Sequence, residues 1–145
     1  GLSLRGSVIA LTHGSHIRSY PESAMSVLRA IPIQVHAALE VVAAPLLIVA
    51  PFALGFGYLA GALNIALGVA LIGLALSVYG DPQRGNRIPL TAHAGFDYTL
   101  AAITIAVGIA AGIVGDLVAT VFLVGFGSAH LALTASTRFS RPLGT

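Results

Sequence analysis

Four long apolar stretches constrain this chain more than any other feature of its sequence. A helix that crosses a bilayer needs about 20 predominantly apolar residues. Four stretches have that length and character, at 32–55, 57–79, 89–112 and 116–137. Only 8% of the 145 residues are charged, against about 25% in ordinary soluble domains, so the chain lacks the charge that would solvate a globule. The sequence therefore predicts an all-α, polytopic membrane protein that forms a four-helix bundle.

Short glycine-containing junctions group the four stretches into two transmembrane hairpins. The junctions at 55–57 and 112–115 leave room only for tight turns, whereas 80–87 is polar and rich in turn-forming residues. The predicted organisation is a cytoplasmic N-terminal segment over 1–30 that includes a candidate interfacial helix, a hairpin over 31–79, a cytoplasmic loop over 80–88, a second hairpin over 89–137 and a cytoplasmic tail over 138–145.

The arginines lie on one side of the predicted spans. All seven cationic side chains are Arg, and neither hairpin tip contains one. Five of them flank the spans, namely Arg29, Arg84, Arg87, Arg138 and Arg141. Because an excess of positive charge marks the cytoplasmic side, we expect both termini to be cytoplasmic in a multi-pass protein of the cell (inner) membrane.

The two hairpins share a sequence pattern. Residues 31–40 read IPIQVHAALE and residues 88–97 read IPLTAHAGFD, 57 positions later. The same offset pairs Gly55 with Gly112, Gly68 with Gly125 and Gly73 with His130. Such periodicity indicates a duplicated unit. Because each unit crosses the membrane twice, the two copies insert the same way up, and they are predicted to be parallel-related hairpins about an axis along the membrane normal.

The stretch APFALGFG at 50–57 resembles the SPW-repeat membrane proteins, which are named for a Ser-Pro-Trp motif in the first of two transmembrane helices. Ala50-Pro51-Phe52 stands where that family has Ser-Pro-Trp, the second copy reads Val107-Gly108-Ile109, and the chain has no Trp. The resemblance covers residues 31 to 137. It implies a two-helix repeat architecture and carries no defined activity.

Titratable side chains are predicted to form a layer in the cytoplasmic half of the bundle. His36 and Glu40 are four positions apart on the first span, as are His93 and Asp97 on the third, so each pair lies on one helical face. With a rise of 1.5 Å per residue, the histidines lie about 6 Å and the carboxylates about 12 Å inside their spans. His130 approaches the same depth from the fourth span.

Three functions and one purely structural role are open for this layer. Two histidines and two carboxylates, with His130 nearby, suit Zn, Mn or Fe, because imidazole and carboxylate groups bind these ions. The same groups could relay protons. A haem between His36 and His93 is disfavoured, since carboxylates adjoin both histidines. Alternatively, the pairs only join the helices and fix their register.

Other polar or helix-breaking residues are expected to be structural. Asn64 is predicted to hydrogen-bond a neighbouring helix from within the membrane, and Asp116 to cap the fourth span. Pro45 and Pro51 should bend the first span and free backbone carbonyls. For these two residues we expect a role in helix packing rather than in ion coordination.

The sequence contains no motif that identifies a reaction. A catalytic triad, a phosphate-binding loop and a dinucleotide fingerprint are all missing, and the absence of Cys excludes thiolate chemistry. A net charge of only +2 offers no surface for nucleic acid. The sequence therefore favours a non-enzymatic structural or accessory protein of the lipid bilayer, acting as a homo-oligomer or within a larger complex. The alternative is a small protein that handles protons or metal ions.

The predicted orientation can be tested with single cysteines, since the chain has none of its own. We expect Cys at Gly115 to react with a membrane-impermeant maleimide in intact cells. Cys at Asn86 should react only after lysis, because the arginine-rich loop is retained in the cytoplasm. Labelling of Asn86→Cys from outside, with Gly115→Cys protected, would reverse the topology.

Overall fold

The computed structural model describes residues 30–79 and 88–139, which form four long helices. The elements are α1 (Ile33–Leu54), α2 (Tyr58–Ser77), α3 (Leu90–Ile113), α4 (Leu117–Ala135) and the two short strands β1 (Ile31–Pro32) and β2 (Thr137–Arg138). Each helix is long and apolar enough to cross a membrane. The predicted all-α four-helix bundle is thereby confirmed, with one addition, since β1 and β2 pair in parallel.

Several predicted features lie outside the described residues. These are the candidate interfacial helix at 21–30 except its last residue, the whole polar loop at 80–87, the tail beyond 139, and Arg29, Arg84, Arg87 and Arg141. The orientation and the location of the termini therefore stay predictions.

The helix boundaries follow from proline and glycine. Pro32 and Pro89 directly precede α1 and α3 in extended conformation. A backbone N–H at the start of a helix has no intrahelical acceptor, so a proline, which has no N–H, is tolerated there. Gly55 ends α1 with φ 71°, and Gly115 follows α3 with φ 88°. Such positive values are readily adopted only by glycine, so these two residues define the hairpin turns.

Within each hairpin a glycine allows the two helices to pack closely. A Cβ atom at Gly68 would lie 2.8 Å from the Ile48 side chain, and one at Gly127 would lie 2.7 Å from Ile105. Gly125, which the offset of 57 pairs with Gly68, has open space around its Cα instead. In the second hairpin, the close helix–helix contact is therefore at Gly127 and not at Gly125.

The shift of two positions has a simple cause. The helix α3 has 24 residues and α1 has 22, so the second helix of the second hairpin begins two residues later than an offset of 57 predicts. Counted from the starts of α2 and α4, His130 therefore has the same position as Leu71 and not as Gly73. Gly73 lies on the exposed face of α2. The duplication itself, and the symmetry that it would impose, stay predictions.

The four helices form a ring in which α1 and α3 face each other across a diagonal. The most extensive contacts lie inside each hairpin, and the α2–α3 and α1–α4 contacts close the ring. Its apolar core consists of Ala44, Leu47, Leu71, Ala111, Ala119 and Leu123. Large apolar side chains such as Phe52 and Val121 are highly exposed, as expected where lipid rather than water surrounds the bundle.

Asp116 joins the two hairpins at their tips. Its Oδ1 accepts a hydrogen bond from the Ala119 N–H at 3.0 Å, which confirms the predicted cap of α4. Its Oδ2 also accepts from the Gly57 N–H at 2.7 Å, at the start of α2. One carboxylate therefore satisfies the N-terminal donors of two helices, where negative charge also suits the helix dipoles.

Asn64 compensates for a proline inside α1. Pro51 has no N–H and leaves the carbonyl of Leu47, four residues earlier, without its helical partner. The Asn64 Nδ2 donates to that carbonyl at 2.6 Å, and the side chain is fully buried. The predicted interhelical hydrogen bond is confirmed. The carbonyl that Pro51 frees at Leu47 joins α1 to α2.

A double-mutant cycle can isolate this bond. Asn64→Ala should destabilise the bundle by about 1 kcal/mol, the typical size of a hydrogen bond inside a membrane protein. In a Pro51→Ala background the same substitution should cost less, because the restored N–H can satisfy the Leu47 carbonyl. Unfolding in mixed detergent measures both values, and an equal cost in the two backgrounds would contradict this account.

Candidate metal centre

Four buried side chains meet on the axis of the bundle. His36 and Glu40 extend from α1, and His93 and Asp97 extend from α3, one helical turn apart in each case. Each residue is at most 1% exposed. One ligand atom from each lies within 4.8 Å of the other three, so inward-pointing side chains bridge the diagonal between the two helices.

The distances within this four-residue cluster match those of ligands around one ion. The His36 Nε2 lies 3.0 Å from the Glu40 Oε1 and 3.2 Å from the Asp97 Oδ2. The His93 Nε2 lies 3.8 Å from the Glu40 Oε2 and 3.5 Å from the Asp97 Oδ2. A tetrahedral ion with bonds of 2.0–2.1 Å separates its ligand atoms by about 3.3 Å. The cluster needs only small adjustments to reach that geometry.

These atoms lie at ion-pair distance from one another, but not in the geometry of hydrogen bonds. The Nε2 atoms of His36 and His93, the Oε2 of Glu40 and both carboxylate oxygens of Asp97 are buried and have no hydrogen-bond partner among the described residues. Leaving a buried polar atom unsatisfied costs about 1–3 kcal/mol, and more where the group is charged. A cation bound at the centre would satisfy the nitrogens and oxygens together.

The orientation of His36 is set by a hydroxyl group after α4. The Thr137 hydroxyl donates to the Leu133 carbonyl at 2.7 Å, so its oxygen is left to accept from the His36 Nδ1 at 2.8 Å. With the hydroxyl proton on the Leu133 carbonyl, His36 would carry its proton on Nδ1, and Nε2 faces the cluster. Histidines that bind metals are commonly oriented by such a bond from the second ring nitrogen.

His93 has a similar but longer contact at the end of α2. The Ser77 hydroxyl donates to the Leu74 carbonyl at 2.6 Å and lies 3.4 Å from the His93 Nδ1. Both imidazoles thus present Nε2 to the centre while a hydroxyl faces Nδ1. Sequence reasoning missed Ser77 and Thr137, because nothing in their local sequence distinguishes them from ordinary helix-end residues.

His130 lies beside the cluster rather than within it. Its Nε2 donates to the Glu40 Oε1 at 3.0 Å, and it is not among the four residues that converge. The sequence placed His130 with the candidate ligands at the correct depth. In the structure its contact holds the Glu40 Oε1, while the Glu40 Oε2 has no hydrogen-bond partner among the described residues.

An aromatic ring and a cavity border the cluster. The Phe139 ring centroid lies 5.6 Å from that of His36 and 6.2 Å from that of His93. On another side, a cavity of about 390 Å³ reaches Glu40 and His130 from between α1 and α4. Apart from those two residues its lining is apolar, so it opens toward hydrocarbon.

Comparisons with protein-family models, with curated proteins and with solved structures found no match to this chain. The resemblance to the SPW-repeat proteins accordingly stays a prediction. A helical bundle by itself implies no activity. The chemistry of the four-residue cluster is therefore the main indication of function.

Proposed function

We propose that this chain is a multi-pass membrane protein that binds one divalent transition-metal ion between α1 and α3. The ligands are His36, Glu40, His93 and Asp97. The proposal rests on one observation: four buried groups, at the spacing of metal ligands, direct unsatisfied nitrogen and oxygen atoms at a common centre. When bound, the ion would supply the positive charge that these atoms lack.

The contact pattern favours an ion over simple helix-joining pairs. Two separate structural pairs would satisfy each histidine only through the carboxylate four residues later in its own helix. Instead, the His36 Nε2 is nearly equidistant from Glu40 and Asp97, and the Asp97 Oδ2 lies between the two imidazoles. Each group is shared, as ligands of one ion are.

Charge balance supports the same conclusion. An uncompensated charge in the hydrocarbon costs several kcal/mol, and Glu40 and Asp97 bring two carboxylates into one small volume. A divalent cation cancels two carboxylates, and neutral imidazoles complete the coordination without adding charge. The bound site would then be electrically neutral at hydrocarbon depth.

The ligand set indicates which ions fit. Calcium and magnesium prefer all-oxygen sites, whereas imidazole nitrogen favours Zn, Fe and Mn. Two imidazoles and two carboxylates provide four ligands, as zinc takes in tetrahedral sites, and a bidentate carboxylate or a water would extend the set for Fe or Mn. We therefore expect Zn, Mn or Fe.

Elemental analysis tests the proposal directly. Protein purified in mild detergent should contain one equivalent of Zn, Mn or Fe per chain. Asp97→Asn should weaken binding by about 100-fold or more, because it removes a ligand and its charge, an effect at least as large as loss of an outer-shell partner. Asp116→Asn is the matched control, since that carboxylate caps helices at the tips, and it should retain the metal.

Absence of metal from the folded protein would contradict the proposal. Folded wild-type protein that contains no metal, and that binds none of the three ions in titration calorimetry, would defeat the proposal. The cluster would then only join the helices. Movement of protons by reconstituted metal-free protein would instead favour the relay.

The hydroxyl that orients His36 provides an independent test. Thr137→Val removes the acceptor for the His36 Nδ1–H, and loss of such a partner typically lowers metal affinity about 10–100-fold. Thr104→Val is the matched control, since Thr104 is also buried and also donates to a carbonyl four residues earlier, away from the cluster. Competition with a chromogenic chelator measures both affinities, and equal losses would contradict an orienting role for Thr137.

A further inference from the structure

One aromatic ring covers the cluster at the end of the bundle where α1 begins and α4 ends. Phe139 is partly buried and contacts both histidine rings. It lies in the segment that follows α4, and this segment is held by the parallel pairing of β1 with β2, including the hydrogen bond from the Ile31 N–H to the Ser136 carbonyl at 3.1 Å. Because α4 ends at Ala135, the ring can swing aside without any unwinding of the helix.

On the side of the cluster toward the hairpin tips, the two helices of each hairpin pack tightly. Ala44 and Ala101, about 6 Å farther along their helices than Glu40 and Asp97, are fully buried. A Cβ atom on Gly68 would lie 3.1 Å from the Ala44 carbonyl oxygen, and one on Gly127 would lie 3.1 Å from that of Ala101. The backbones therefore meet in both hairpins at this depth, which leaves no passage for an ion inside either hairpin.

Beyond this packed layer the core offers almost no ligands. Within the described residues, the buried polar side chains there are Asn64 and Thr104. Asn64 donates to the Leu47 carbonyl, and Thr104 donates to the carbonyl of Leu100 in its own helix, so the Asn64 Oδ1 is the one buried side-chain oxygen of the two without a partner. An ion that left the cluster in this direction would exchange four ligands for an apolar core.

The cavity between α1 and α4 is no better as a route. It reaches Glu40 and His130, but the rest of its wall is formed by apolar side chains such as Leu39, Leu46 and Phe126. A divalent cation would have to cross hydrocarbon to enter it, at a prohibitive cost in hydration. Among residues 30–79 and 88–139, the approach that remains is from the aqueous phase over Phe139.

We propose that the metal ion enters and leaves only at the end covered by Phe139, so that the protein is a one-sided metal binder and not a conduit. This inference rests on the proposed function. Phe139 acts as the closing ring of the site: it shields the histidine ligands while the ion is bound and moves aside for exchange.

The side of access can be measured on the wild-type site in sealed vesicles. Two reporter variants, Val114→Cys at a hairpin tip and Ala30→Cys at the opposite end, define which end faces outward through reaction with an impermeant maleimide. Zinc-loaded vesicles of each orientation then receive a membrane-impermeant chelator. We expect zinc to be lost only where the Ala30 end faces the chelator. Loss from the tip side, or from both sides at equal rates, would overturn the inference.

The role of the ring is measured by exchange kinetics. Phe139→Ala should speed zinc loss to the chelator about tenfold, as expected when two ring contacts are removed, and leave one zinc per chain when zinc is in excess. Phe52→Ala, the same change on the lipid-facing surface, should leave the rate unaltered. Equal rates for the two variants would exclude Phe139 as the closing ring.

These outcomes separate the two proposals. Wild-type protein that binds no metal defeats the proposed function itself. Wild-type protein that binds one equivalent but exchanges it from the tips, or independently of Phe139, defeats only one-sided access. If Phe139→Ala proves too unstable to load, Phe139→Leu keeps the apolar contact and should give an intermediate rate, while the vesicle experiment decides access without any change at residue 139.

Discussion

The burial of two carboxylates and two imidazoles at hydrocarbon depth is the constraint on which the rest of this structure depends. No water is available there to solvate them, so every one of these groups must be satisfied by protein or by an ion. This requirement explains why His36 and His93 each have a hydroxyl beside Nδ1, and why His130 donates to Glu40. Helices that could otherwise rotate freely in lipid are fixed in register by these contacts.

In the half of the bundle that contains the hairpin tips, an amide and a carboxylate satisfy backbone groups. Pro51 frees a carbonyl and Asn64 satisfies it, while Asp116 satisfies donors at the starts of two helices. The hairpins are therefore joined at their tips by one carboxylate and near their opposite ends by the four-residue cluster. Between these two polar junctions, close contacts at Gly68 and Gly127 pack the helices of each hairpin together, and the Asn64 hydrogen bond joins α1 to α2.

Much of this arrangement could be predicted from the sequence, because the determining signals are local. Apolar length gave the spans, and the spacing of four between His36 and Glu40 placed both on one face. What could not be predicted depends on geometry between helices. Two extra residues at the end of α3 transfer the glycine contact to Gly127, and whether α1 and α3 are adjacent or diagonal is decided by packing. The contacts of Thr137 and Phe139 depend on the path of the backbone after α4 ends at Ala135. The spacing of apolar residues in the sequence does not determine that path.

The division of the cluster between the hairpins bears on how such a site could arise. Each hairpin supplies one imidazole and one carboxylate, so a lone hairpin carries half of a four-ligand set. Two identical hairpins side by side could therefore complete the set before any gene fusion, with the ion on the axis between them. Fusion would then free each half to diverge. His130 and Leu71 have the same position counted from the starts of α4 and α2, so this difference would be one such divergence. It leaves Glu40 with a partner on α4 that Asp97 lacks on α2.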